Sequence, residues 1–138
     1  MPELNVLVVD DEPAVRQVLA AAIGKAGYSV EAVGSAAEAL ARLDKAPYDV
    51  VLSDVFMPVT DGIELIRQAR AKGHSATFIM VTAFASVDSA IDAIKAGAWD
   101  YITKPVRNEE ILHRLEQIDA LRGLREENRA LRSMVLGS

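Results

Sequence analysis

Four apolar runs in this chain each end on a polar residue suited to phosphate chemistry. Leu4–Val9 leads into Asp10-Asp11, Val50–Ser53 into Asp54, Phe78–Val81 into Thr82, and Tyr101–Thr103 into Lys104-Pro105. If the runs are parallel strands, their carboxyl ends gather three acids, a hydroxyl and an ammonium at one crevice. That crevice is where open α/β sheets bind ligands. Crowded carboxylates repel and raise one another's pKa values unless a cation sits among them. Mg²⁺ suits such a set, because it takes a few carboxylates and keeps several waters. An aspartate is also a nucleophile, able to form an acyl phosphate. Lys104 suits a phosphoryl oxygen as a point charge, and the Thr82 hydroxyl can donate to another. Taken singly, each residue has a plainer use. The aspartates cap helices or serve turns, Thr82 is a β-branched strand residue, and Lys104 is a solvated cation. Their joint occurrence at four strand ends, in order, favours a phosphoryl site.

The elements that must hold these residues alternate along the chain. Pro13 opens a helix, and Val15, Leu19 and Ile23 recur at helical spacing up to Gly27. Tyr28–Val33 reads as a second strand. Ser35 with Glu38 forms a capping box for a helix carrying Ala39, Leu40 and Leu43, which ends before Pro47. A helix with Ile63, Leu65, Ile66 and Ala69 follows Asp61-Gly62 and stops near Gly73. Ser86 caps a further helix with Ala90, Ile91 and Ile94, closed by Gly97, and a last helix starts near Asn108. Five β–α repeats predict a flavodoxin-like α/β fold. It has a five-stranded parallel sheet in order 2-1-3-4-5, helices on both faces and an extended C-terminal helix.

Composition narrows the class. The 138 residues are 51% hydrophobic, enough for one domain with a real core plus an appendage. The absence of cysteine excludes disulfides, thiolate metal sites and cysteine catalysis. No apolar run approaches a membrane span and no targeting segment opens the chain, so a soluble, unprocessed, cytoplasmic protein is expected. Net charge is −5; residues 107–138 carry six arginines and six acids, so residues 1–106 carry all of it. No basic footprint for nucleic acid is present, and none of this segment is expected to bind it.

The chain resembles the receiver domain of a two-component response regulator over residues 4 to about 118. The resemblance rests on Val8-Val9-Asp10-Asp11-Glu12, Ser53-Asp54-Val55-Phe56-Met57-Pro58, Asp61-Gly62, Val81-Thr82-Ala83 and the run from Gly97 to Pro105. It implies that Asp54 is the phosphoacceptor, supplied by a cognate histidine kinase. Asp11, Asp54 and the Phe56 backbone carbonyl would bind Mg²⁺ directly, with Asp10 acting through metal-bound water. Lys104 would hold the phosphoryl group across a cis Lys104-Pro105 peptide. Thr82 and Tyr101 would be the switch residues that reshape the face made by the fourth helix, fifth strand and fifth helix. One departure is Val59-Thr60, where the family has Gly-Met. Another is the pair of bulky residues, Phe56 and Phe84, at the variable positions flanking the site. They are expected to obstruct an attacking water and lengthen the life of the acyl phosphate.

Residues 108–136 can form one helix of roughly 44 Å. Ile111, Leu115 and Ile118 can cover the sheet; Leu121, Leu124, Asn128, Leu131 and Val135 then step by 3, 4, 3 and 4. That is a coiled-coil seam, and Asn128 within it favours a parallel pair in one register. The expected division is a receiver at 1–120 and a linker helix at 121–138 that forms a homodimer. The run Leu124–Arg132 and the Asp100–Pro105 segment are similar to NtrC-type transcriptional activators. With the ending at Gly137-Ser138, this points to a piece of a longer regulator of transcription. Self-directed phosphotransfer and slow autodephosphorylation are the only chemistry expected. Three alternatives fit less well. An aspartyl phosphohydrolase wants a second Asp where Phe56 stands. A flavin carrier wants a Ser/Thr/Gly-rich first loop. A phosphate-independent dimerisation module has no use for the acid set.

Overall fold

The computed structural model describes residues 4–136, and along the last helix the side chains as far as Leu124, with Leu131 and Met134 beyond. The order is β1 (Asn5–Val9), α1 (Pro13–Lys25), β2 (Ser29–Val33), α2 (Ala36–Lys45), β3 (Val50–Ser53), α3 (Gly62–Ala71), β4 (Thr77–Thr82), α4 (Val87–Ala96), β5 (Ala98–Thr103) and α5 (Asn108–Leu136). The strands pair in parallel, as the alternation predicted, and in the expected order β2-β1-β3-β4-β5.

Alternation along each central strand divides the core in two. Val6 and Val8 of β1, Val50 and Leu52 of β3, and Ile79 and Val81 of β4 pack with Leu19 and Ile23 of α1 and Ile111, Leu115 and Ile118 of α5. Leu7, Val9, Val51, Phe78 and Met80 face the other way, onto Ala39 and Leu43 of α2 and Leu65, Ile66 and Ala69 of α3. Both faces are covered, which is why the central strands read as unbroken apolar runs.

Local chemistry sets the ends of the helices. The hydroxyl oxygens of Ser35 and Ser86 and the Asp61 carboxylate accept the N–H groups of Glu38, Ser89 and Glu64. Those are the N-terminal caps of α2, α4 and α3. At the end of α1, Tyr28 N–H donates to the Ile23 carbonyl and Gly27 N–H to that of Gly24, with Gly27 at φ 103°. This closure consumes the Tyr28 N–H, so β2 starts at Ser29, one residue later than the apolar pattern suggests.

Two features were not visible in the periodicity. The β4–β5 register shifts between Phe78 and Ile79, whose partners are Ala98 and Asp100. Trp99 is the extra residue and is pushed outward, 40% exposed. On α4 only Ala93 is buried. Ile91 and Ile94 are about half exposed, and Val87 is more so.

The β3–α3 loop passes directly under the site. Gly62 N–H donates to the Val55 carbonyl at 2.7 Å, and a Cβ on Gly62 would lie 2.1 Å from the Asp54 carbonyl oxygen. Gly62→Ala is therefore expected to destabilise the fold by about 1–3 kcal/mol. Ser35→Ala, which removes only a cap, should cost about 1 kcal/mol. Urea midpoints of both variants against the parent check the ranking.

Candidate functional site

Four of the predicted site residues stand at the carboxyl ends of strands, and Tyr101 lies within β5. Asp10 follows β1, Asp54 follows β3, Thr82 closes β4 and Lys104 follows β5. β1 and β3 lie at the point where the strand order reverses, the usual ligand crevice of such sheets.

Lys104 Nζ donates to Asp10 Oδ2 at 2.9 Å and to Asp54 Oδ2 at 3.1 Å. The second oxygen of each carboxylate is also engaged. Asp10 Oδ1 accepts the Glu12 N–H at 3.0 Å, and Asp54 Oδ1 accepts the Phe56 N–H at 3.3 Å. Both acids are buried, at 2% and 8% exposure. Burial pushes the Lys104 ammonium down, but its hydrogen bonds to Asp10 and Asp54, with their charges, outweigh this and hold its pKa above the ordinary lysine value. The Lys104-Pro105 peptide is cis, as the resemblance implied.

Side-chain donors brace the backbone of the crevice. Arg16 of α1 donates to the Asp10 carbonyl at 2.8 Å, and the Ser53 hydroxyl to the Asp54 carbonyl at 2.9 Å. The loop after Asp54 carries the Val59-Thr60 departure. Val59 takes φ 70° and is fully exposed, so a β-branched residue occupies a left-handed position that favours glycine.

The structure brings a third carboxylate to the two buried acids. Carboxylate oxygens of Asp10, Glu12 and Asp54 lie within 4.8 Å of one another. Asp11 is exposed and stands outside that trio. Glu12 was the residue the sequence reading passed over. Its signal was its place at the N-cap of α1, where its side chain makes no capping hydrogen bond. Three carboxylates against one ammonium leave the crevice anionic, and all the donors are hard oxygens. That composition fits Mg²⁺.

Thr82 is fully buried, and its hydroxyl oxygen accepts the Phe84 N–H at 3.2 Å. Tyr101 is half-buried against the α2–α3 side of the core, and its hydroxyl is hydrogen-bonded to Ser89 Oγ on α4. Phe56 and Phe84 meet edge to face, with centroids 6.2 Å apart and planes at 78°. Both rings stay largely exposed, at 48% and 74%.

The Lys104 pair carries a pH signature. A raised ammonium pKa stabilises the fold fully below the unfolded lysine value of about 10.4, and the contribution is lost as pH rises through the folded value. The stability difference between the parent and Lys104→Met should hold steady from neutral pH to about 10 and shrink above it. Urea unfolding from pH 7 to the alkaline limit (roughly pH 11) checks this.

Among the described residues, no helix is long and apolar enough to cross a membrane. The sequence profile of the response regulator receiver domain matches residues 6–116. The chain is 39% identical over 115 residues to the response regulator MprA of Mycobacterium sp. strain KMS, across 83% of this chain and 50% of that protein. It is 35% identical over 106 residues to the response regulator protein PilR of Pseudomonas aeruginosa, across 77% and 24%. It thus spans about half the length of the first relative and a quarter of the second. A CheY-like receiver domain protein from Methanospirillum hungatei superimposes with TM-score 0.81 at 31% identity, over 86% of this chain and 96% of that one. The chemotaxis protein CheY4 of Vibrio cholerae gives 0.80 at 33%, over 85% and 99%. With the strand order, the buried acid pair and its bridging lysine, these likenesses establish that the chain belongs to the response regulator receiver domain family of two-component signalling.

Proposed function

We propose that Asp54 accepts a phosphoryl group from the phosphohistidine of a cognate histidine kinase. The carboxylate oxygen attacks phosphorus, an O–P bond forms, and the P–N bond breaks with its electron pair leaving on the imidazole. The observation that carries this reading is Lys104 donating at once to Asp54 and Asp10, which puts a fixed cation beside the nucleophile. The Phe56 N–H on Asp54 Oδ1 orients the carboxylate. Asp11, Asp54 and the Phe56 carbonyl would hold Mg²⁺ directly, Asp10 through water, with Glu12 alongside. When bound, the ion supplies charge that neutralises the phosphoryl oxygens in the transfer.

The response is a population shift in which the phosphoryl group favours one arrangement of the crevice. The Thr82 oxygen accepts from Phe84 and keeps its own proton, which a phosphoryl oxygen would attract. Tyr101 is tied to α4 through Ser89, so its movement bears on the exposed apolar edge of Val87, Ile91 and Ile94. Residues 1–120 act as the receiver and 121–138 as a linker helix. The unbroken α5 and its exposed Leu121, Leu124 and Leu131 support a homodimer through that helix. Asn128 and Val135 of the seam lie outside the described side chains, and the Gly137-Ser138 ending lies outside the described residues. The output is regulation of transcription by a longer cytoplasmic chain of NtrC type.

A small acyl-phosphate donor with Mg²⁺ should add one phosphoryl group by intact mass, and Asp54→Asn should abolish the gain. A gain that survives the substitution would overturn the reading. The Phe56–Phe84 pair narrows the approach of water to the acyl phosphate. Phe56→Asn combined with Phe84→Glu should speed loss of the phosphoryl group by about tenfold, as a polar pair can orient water. The decay of the phosphorylated mass with time checks this.

A further inference from the structure

The extended helix leaves the domain at a place the phosphoryl chemistry does not use. Arg122 of α5 forms an ion pair with Asp49, the residue before β3. Asp49 is held by three further hydrogen bonds. Its N–H donates to the Asn5 carbonyl at 2.8 Å, its carbonyl accepts from Thr77 N–H at 2.9 Å, and its Oδ2 accepts from Asn5 N–H at 2.7 Å. Its side chain is 19% exposed. Forming the pair therefore requires ordering only the arginine. On the neighbouring turns of α5, Asp119 and Glu116 approach Tyr28, whose hydroxyl is held above the usual phenol range by burial and by these two charges. The residues just before β2 and β3, Tyr28 and Asp49, thus face α5 as far as residue 122.

The next residue is Gly123. A Cβ there would meet nothing within 4 Å, so no close approach demands a glycine. Glycine inside a helix gives the backbone its greatest freedom. Beyond it, Leu124 and Leu131 are exposed.

We propose that the Arg122–Asp49 pair is an anchor that sets the line on which α5 leaves the receiver, and that Gly123 is the joint about which the distal arm bends in solution relative to that line. Asp49 and Asp54 flank the same short strand, so the anchor is built on the strand that carries the proposed phosphoacceptor. The arm presents its leucines to a second copy of this chain; that clause rests on the dimer proposed above, whereas the anchor and joint do not.

The cysteine-free sequence permits spin labels at Ser29→Cys and Ser133→Cys alone. Full-length labelled protein, diluted in excess unlabelled protein, reports distances within one protomer. Arg122→Gln should give a distribution roughly twofold wider than the parent, as expected when one tie of a local unit is cut. Asp49→Asn, which keeps an acceptor for Asn5, should match it, and the double variant should be no wider. Gly123→Ala should narrow the parent distribution. Parent-like widths in Arg122→Gln and Asp49→Asn overturn the anchor, and a parent-like width in Gly123→Ala overturns the joint. Sedimentation of the unlabelled parent is read separately. A dimer at tens of micromolar supports the second copy, and a monomer overturns the dimer while the distances still decide the anchor.

Discussion

The contact on which the rest depends is one ammonium shared by two buried carboxylates. Lys104 reaches Asp10 and Asp54 across sequence separations of 94 and 50 residues. Neither acid would be stable alone at that depth, because an isolated buried charge is strongly disfavoured. The pair is held because β1, β3 and β5 end at the same edge of one sheet, and because Ser53, Arg16 and Gly62 fix the backbone around it. The crevice still carries more negative than positive charge. The same arrangement that stabilises the fold therefore leaves the site receptive to a divalent cation.

Around that contact the polar groups fall into two sets. The acids and the lysine sit where nothing needs to move. Thr82 and Tyr101, by contrast, are each engaged by a single side-chain hydrogen bond, to the Phe84 N–H and to Ser89. Weakly committed polar groups beside a rigid charged centre are a suitable basis for two discrete arrangements. The α4 helix, with only Ala93 buried, is the lightly packed element next to them. At the opposite end of the sheet, Asp49 ties α5 to the strands through backbone and side-chain bonds.

Where the sequence reading fell short, the reason is tertiary. The one-residue delay of β2 follows from a helix closure that uses the Tyr28 N–H. Ile91 and Ile94 have helical spacing, but spacing does not say whether a helix lies over a sheet or at its margin. The bulge that expels Trp99 depends on the pairing partner and leaves no trace in periodicity. Glu12 was given no role because it follows the Asp10-Asp11 pair rather than ending an apolar run. Its nearness to Asp10 and Asp54 emerges only once β1 and β3 are side by side.

The sequence by itself determined the elements, their order and the polar residue at each strand end. It could do so because apolar runs, caps and helix-closing glycines act over a few residues. It also determined the helix of 29 residues that runs past the domain. Only the tertiary structure decided which carboxylates share the ammonium, which acid completes the trio, which hydroxyls are already engaged and where α5 is tied down. Those are contacts between strands and helices far apart in the chain, and their distances are set by sheet register and packing rather than by any local pattern.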